Sequence, residues 1–317
     1  MSTPFTETAG IPVSDATPYT SFTPVVLPIP GRRVDLELKV SAPATGENLP
    51  VILLSHGHGA SNFVASLHGY GPLADFWAAH GFVVIQPTHL DAMELGLRDD
   101  PEGPLFLPSR AEDMSHIIDH LDKIEATVPG LSGRLDRSKI AAVGHSLGGS
   151  TVGLLCGQRI ADPDGKEVDL SDDRIKVGVL MGAAGRGEFF DGTLADQYPI
   201  LGTNSFEKMT TPALVVAGEN DSNPGFSTHA DYRADAYYQS PGPKSLLMVY
   251  GAEHMLGGIS GYDASETTDE NPERVAAVRA LIWAYLRTAL YPDDSAWADA
   301  TAALERSPNP LARVESK

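Results

Sequence analysis

Apolar residues in this chain fall into short continuous runs separated by stretches of helical spacing, and that alternation predicts most of its elements. The runs are Pro50-Val-Ile-Leu-Leu-Ser55, Phe82-Val-Val-Ile85, Lys139-Ile-Ala-Ala-Val143, Ile175-Lys-Val-Gly-Val-Leu-Met181, Pro212-Ala-Leu-Val-Val-Ala217 and Ser245-Leu-Leu-Met-Val-Tyr250. Strands covered on both faces read this way, as the central strands of a parallel sheet do. Earlier in the chain the pattern is different. Tyr19 to Leu27 and Arg33 to Ser41 predict two strands, and Val34, Leu36, Leu38 and Val40 alternate with polar residues as in a half-exposed antiparallel pair.

Helical spacing fills the intervals. It predicts helices over Leu73 to His80, over Ser109 to Val128 with Met114, Ile117, Ile118, Leu121 and Ile124 on one face, and over Thr228 to Gln239. Ser109 and Glu112 stand at capping-box spacing. A long helix is expected after Asn271 and Pro272, which suit an N-cap and a first turn. The strand over 245–250 is expected to be the last, with one short helix after Pro292. Residues 1–18, rich in Thr, Pro and Ser, predict a loose arm. The acidic run 162–174 lacks the spacing of a calcium loop and predicts a solvated segment. Residues 182–211 show no period, and a loop of that length points to a substrate rim. Strands alternating with helices after an antiparallel start predict one α/β domain over 1–317, with a mostly parallel sheet and helices on both faces.

The junction Val143-Gly144-His145-Ser146-Leu147-Gly148-Gly149 carries chemistry as well as structure. It reads Gly-x-Ser-x-Gly between a predicted strand and a predicted helix, the context in which this motif exposes a nucleophilic serine. Glycines at 144 and 148 leave room for the close approach of strand and helix. The helix N-terminus favours negative charge developing at Ser146.

Two further polar residues fall just beyond predicted strands, where α/β sheets bind ligands. Asp221 follows the strand 212–217, and His254 follows the strand 245–250. The chain order nucleophile, acid, histidine is that of the α/β-hydrolases. A serine needs a base at neutral pH, so His254 is expected to take its proton and Asp221 to orient the imidazole. The backbone N–H groups of Leu147 and His58 are the expected oxyanion donors. Gly57 and Gly59 would let the His58 backbone approach a ligand. His89, Phe189 and Phe190 are candidates for substrate contact. His229 is a weaker alternative base and Glu219 a weaker alternative acid, while His56 and His145 suit a scaffolding role.

Composition narrows the field. Of 317 residues, 42% are hydrophobic, enough for a sizeable core. The net charge of −19 repels phosphate backbones and argues against nucleic acid as a partner. Cys156, the only cysteine, cannot form an internal disulfide and sits where a small core residue is expected. No apolar run approaches membrane-spanning length. The first residues have neither the basic start nor the apolar stretch of a signal peptide, so a cytoplasmic protein is expected.

The run Leu54-Ser-His-Gly-His-Gly-Ala-Ser, with Trp77-Ala-Ala-His-Gly-Phe-Val-Val-Ile-Gln-Pro87, resembles the dienelactone-hydrolase, chlorophyllase and platelet-activating-factor acetylhydrolase branch of the α/β-hydrolases. The element Gly218-Glu-Asn-Asp-Ser222 with Pro224 is similar to the acid loop of polyester hydrolases and cutinases. This resemblance, over roughly residues 33–290, implies the α/β-hydrolase sheet and the hydrolysis of carboxylic esters. It implies the triad Ser146, Asp221 and His254 with hole residues His58 and Leu147. Leu147 stands where chlorophyllases tend to carry an arginine. The expected reaction is cleavage of a small ester with an apolar acyl or alcohol part, through an acyl-enzyme, with no metal or organic cofactor. An acyltransferase, lactonase or peptidase would use the same triad, and a non-enzymatic binding protein on this scaffold should lack one of its members.

Overall fold

The computed structural model describes residues 8–261 and 264–317. Its centre is a nine-stranded mixed sheet. The antiparallel start is β1 (Tyr19–Leu27) on β2 (Leu36–Pro43), and β2 also runs antiparallel to β4 (Val83–Pro87). From β4 the sheet is parallel through β3 (Leu49–Ser55), β5 (Leu135–His145), β8 (Ile175–Met181), β9 (Ala213–Gly218) and β10 (Lys244–Val249). Every residue of β3, β4, β9 and β10 is buried, as continuous apolar runs require. This is the α/β-hydrolase fold.

Helices cover both faces. Helices α1 (Gly71–Ala79) and α6 (Pro272–Leu290) pack on one side over Ile52, Val84, Val143 and Val216. Helices α2 (Leu107–Asp119), α3 (Leu121–Thr127) and α4 (Leu147–Leu155) pack on the other over Val51, Leu53, Ile85 and Ala142. Neighbouring strand residues therefore feed opposite cores, the period-two consequence of the pleat. Cys156 is buried at the end of α4, and its apolar surroundings push the thiol up to about 12.

Several expectations about elements need correction. The helix expected over 109–128 is two helices with a break at His120. There the His120 Nδ1 donates to the His116 carbonyl at 2.8 Å, competing with the backbone one turn back. Ser109 is inside α2 and caps nothing. The helix begins at Leu107 with Pro108 in its first turn, and the Ser109 N–H and hydroxyl both go to Glu102. The stretch expected to be helical over 228–239 is helical only in α5 (Asp235–Gln239), after a 3₁₀ turn at Tyr232–Ala234. Thr228 is instead held by the Asp191 carboxylate through its N–H and hydroxyl, each at 3.0 Å.

At the carboxyl end, α7 (Ala296–Arg306) is the expected short helix, but a strand follows it. This β11 (Ala312–Ser316) adds antiparallel to β10 as the sheet edge. It carries Arg313 and Glu315, charges typical of a guarded edge. The acidic run is not wholly loop, because β6 (Arg159–Ala161) and β7 (Glu167–Asp169) close a hairpin around it. Residues 8–18 of the expected arm lie against the body. Ile11 is buried, the Thr17 N–H donates to Ala79 at 2.8 Å, and His80 Nδ1 donates to the Ser14 carbonyl at 2.8 Å. Residues 1–7 lie outside the described residues.

The N-terminus of α6 also anchors the loop that carries His254. The Asn271 side chain accepts from the Arg274 N–H at 2.9 Å, and its own N–H donates to Gly257 at 2.9 Å. Asp269 accepts from the N–H groups of Glu253 and Gly257 at 2.9 and 3.0 Å, and pairs with Arg274. Replacing Asn271 by alanine should cost about 1 kcal/mol of folding stability by loss of the cap, whereas Asn271→Asp should be close to neutral. Urea unfolding of the two variants beside the parent checks this, and equal losses in both would show that the cap contributes nothing.

Candidate active site

Ser146 sits between β5 and α4 at φ 55°, ψ −119°, a backbone that a side chain other than glycine rarely adopts. The turn is enforced from both sides. A Cβ on Gly144 would lie 2.1 Å from the Gly148 carbonyl oxygen, and one on Gly148 would lie 2.1 Å from the Ser55 carbonyl oxygen. The Ser146 N–H is spent on the Met181 carbonyl at 2.8 Å. The hydroxyl is left standing at the carboxyl end of the sheet, half-buried.

Asp221 and His254 come to it from the loops after β9 and β10. His254 Nε2 lies 2.9 Å from Ser146 Oγ, and His254 Nδ1 lies 2.8 Å from Asp221 Oδ2. Gly182 passes behind the pair, where a Cβ would come within 3.3 Å of both side chains. Burial by itself would raise the Asp221 carboxyl. The Arg233 guanidinium, 3.3 Å from Asp221 Oδ1, and then His254 outweigh that effect and hold it well below the usual carboxylate range. A buried, ionised acid of this kind accepts the Nδ1–H of the imidazole and leaves Nε2 with a lone pair toward the serine. Such an arrangement can take a proton from the hydroxyl and return it to a leaving group.

His145 and Tyr70 tie the surrounding loops together. The His145 Nε2–H donates to the His254 carbonyl at 2.8 Å, so Nδ1 must accept, and the Tyr70 hydroxyl donates to it at 2.9 Å. The same hydroxyl accepts the Gly57 N–H at 3.0 Å. Burial, then the neighbouring His254, push His145 down to about 3, so this link stays neutral. One chain of hydrogen bonds thus joins the loop before His58, the elbow and the loop of His254. Gly57 and Gly59 serve the interior. A Cβ on either would come 3.0 Å from the Tyr70 hydroxyl or from Val64, so their bareness accommodates the packing of this loop.

Beside Ser146 lies a cavity of about 260 Å³, with His58, Leu147, Ala184, Leu194, Tyr198 and Phe226 among its walls. The walls are mostly apolar, with a few polar groups placed among them, as small-molecule sites are. His58 and Leu147 therefore face the same space as Ser146. The expected rim 182–211 contributes Leu194, Tyr198 and Leu201, and Leu105 joins them from just before α2. Phe226 and Arg233 line the wall as well, and sequence reasoning passed over both. Their only signal was position, a few residues beyond the expected acid.

The candidate contact residues lie elsewhere. Phe190 is buried in the core against Phe226. Phe189 stacks on His229 at 4.0 Å and under the Arg186 guanidinium at 3.9 Å. That stacking places His229 away from Ser146, whose imidazole partner is His254. Glu219 accepts from the Gly251 N–H, and the carboxylate partner of His254 is Asp221.

His89 is fully buried in a second Ser–His–Asp array. Its Nε2 is 3.0 Å from Ser55 Oγ and its Nδ1 is 2.9 Å from Asp113 Oδ2. Ser55 is at the end of a regular strand and wholly enclosed, so distances that match those at Ser146 carry no access for a substrate. Burial, then Arg110, push His89 down to about 4.

No helix among the described residues is long and apolar enough to cross a membrane. No family model matches the chain. Two curated relatives are similar to it. One is a platelet-activating factor acetylhydrolase of Cavia porcellus, 32% identical over 34% of this chain and 32% of its own length. The other, of the same name, is from Bos taurus, 34% identical over 34% of this chain and 32% of its own length. The chain spans about a third of the length of the relatives it matches. It has the α/β-hydrolase fold and, over that third, resembles the platelet-activating factor acetylhydrolase branch.

Proposed function

We propose that this protein is a serine hydrolase that cleaves small carboxylic esters through an acyl-enzyme on Ser146. One observation carries the reading: a strained, accessible serine hydroxyl lies 2.9 Å from an imidazole that is itself 2.8 Å from a buried carboxylate, and all of it opens on an apolar cavity. The partial likeness to proteins named acetylhydrolases supports the same reaction class.

Ser146 Oγ attacks the ester carbonyl carbon while His254 Nε2 takes the hydroxyl proton. The carbonyl oxygen becomes an oxyanion held by the N–H groups of Leu147 and His58. Collapse breaks the bond to the alcohol oxygen, which leaves with the proton from His254. Water then repeats the sequence on the acyl-enzyme and frees Ser146. Asp221 remains ionised throughout, since Arg233 holds it so.

Ser146→Ala should lower kcat by roughly 10⁴- to 10⁶-fold, the scale of losing a triad nucleophile. A fluorophosphonate probe should label the parent at Ser146. Mass spectrometry that found the adduct on another residue would remove the assignment.

The cavity sets the acyl preference. Each methylene buried in an apolar wall contributes about 0.8 kcal/mol, so kcat/KM should climb from acetyl to butyryl p-nitrophenyl esters by less than about fourfold per carbon. It should fall once the cavity is full. A flat series, or a succinyl ester as the best substrate, would contradict an apolar acyl site.

Acid should act on the fold as well as on the chemistry. His89 and His145 have folded values of about 4 and about 3, below the unfolded value near 6.5. Between these values the unfolded chain binds protons that the folded chain cannot, so stability falls as pH falls. The loss should begin below about pH 6.5 and exceed about 1 kcal/mol per pH unit for each ring. Asp221 contributes in the same direction but lower, since a depressed carboxyl loses its contribution only as pH falls through its folded value. Urea midpoints at pH 7.5, 6 and 5 test this, and a pH-independent midpoint would contradict buried neutral imidazoles.

A further inference from the structure

The side chain of His58 is held in a way that its proposed backbone role does not explain. Its Nδ1 lies 2.8 Å from Asp91 Oδ2, and Asp91 is wholly buried. The other Asp91 oxygen accepts from Arg110 Nη1, and Arg110 is wholly buried as well. Arg110 is fixed in turn by Thr151 Oγ1 at 3.0 Å, Ser55 Oγ at 3.3 Å and the His56 carbonyl. Burying such a pair is costly, and the fold spends it on orienting one imidazole. That imidazole is only partly exposed, and it lines the same cavity as Ser146.

The hydrogen-bond roles follow from what each group can do. A carboxylate only accepts, so in the neutral ring Nδ1 carries the hydrogen and Nε2 carries the lone pair. No residue among those described partners Nε2. We propose that His58 is a specificity-determining residue whose Nε2 accepts a hydrogen bond from a hydroxyl or N–H on the substrate, close to the scissile carbonyl. The preferred substrate is then an ester that bears such a donor on its acyl or its alcohol part, otherwise apolar. Asp91 is the positioning residue, because it sets which nitrogen is free. This rests on the reading of Ser146 as the nucleophile.

The test compares matched esters at pH 8 and reads the ratio of kcat/KM within each protein, so that general losses cancel. On the acyl side the pair is p-nitrophenyl 3-hydroxybutyrate and p-nitrophenyl butyrate. On the alcohol side it is ethylene glycol monobutyrate and ethyl butyrate. In the parent, the hydroxylated member of at least one pair should be preferred by about twofold to tenfold, the range of one neutral hydrogen bond. His58→Leu should bring that ratio to one or below.

Asp91→Asn gives the sharper outcome. Arg110 can only donate, so it keeps the amide oxygen and turns the amide nitrogen toward His58. Nδ1 must then accept, and Nε2 becomes the donor. A hydroxyl can accept as well as donate, so the lead that the hydroxyl ester holds in the parent over p-nitrophenyl 3-methoxybutyrate, which can only accept, should close toward one. A purely structural role for Asp91 would lower all the rates and leave the ratio where it was. Should Asp91→Asn fail to fold, His58→Leu decides alone.

Equal rates for both pairs in the parent would overturn the assignment, as would a preference that survives in His58→Leu. Tyr198 also lines the cavity and meets His58 edge-on at 6.5 Å. A preference abolished by Tyr198→Phe and untouched by His58→Leu would move it to that phenol. If the parent cleaves none of the esters, the proposed function fails and the role of His58 fails with it. If it cleaves the plain esters without preference, only the role of His58 fails.

Discussion

The contact between Gly144, Gly148 and the Ser55 carbonyl is the constraint on which the rest of the site depends. Two backbones meet there at distances that no Cβ could share. That closeness lets α4 start directly beneath the end of β5, and it forces Ser146 into its positive φ. The consequences reach further than the serine. Because α4 begins against the end of β3, its first residue Leu147 and the loop residue His58 border one cavity. Strain at one residue, held by packing on both sides, is the means by which a flexible hydroxyl becomes a fixed one.

Comparison of the two Ser–His–Asp arrays shows how little the distances decide. Ser55, His89 and Asp113 reproduce the spacing of Ser146, His254 and Asp221 to within about a tenth of an ångström. What separates them is the backbone and the surroundings. Ser55 is an ordinary strand residue sealed under the sheet end, with its oxygen also accepting from Arg110. Its array satisfies buried polar groups and stiffens the strand that carries the His58 loop. Ser146 has an accessible face, a strained turn and the N-terminus of α4 behind it. A search for triads by proximity would return both; only the second can reach a substrate.

Much of this was legible in the sequence, for identifiable reasons. Central strands announce themselves because both faces are buried, and the residues after β9 and β10 could be found by counting outward from those runs. The elbow was legible because its glycines are forced by backbone contact. What escaped was set by long-range packing. β11 is five residues with charged members and becomes a strand only because β10 offers an open edge. The break at His120 depends on where one imidazole points. Phe189 and Phe190 looked like substrate contacts, yet Phe189 stacks on His229 and Phe190 packs in the core on Phe226, whereas Tyr198 and Phe226 also line the cavity. His89 sits just beyond a strand end, as a site residue should, and only its burial shows that it faces inward.

Charge inside the site is arranged differently from charge outside. The chain carries a net −19, so an approaching anion meets an overall repulsion. Within, each buried acid has its own arginine: Asp221 with Arg233, Asp91 with Arg110, Asp113 with Arg32. These pairs cancel locally, so none of the three cations is left to attract an anionic group. Of the described residues lining the cavity, Arg233 is the one permanent cation, and Asp221 already engages it. The field at Ser146 then comes from oriented backbone N–H groups and the start of α4, which act on charge that develops during a reaction more than on charge a ligand brings with it. An anion would meet repulsion outside and no free cation within, whereas a neutral molecule would meet neither obstacle. Pairing the buried charges thus disfavours anionic ligands, before any contact specific to one ligand is considered.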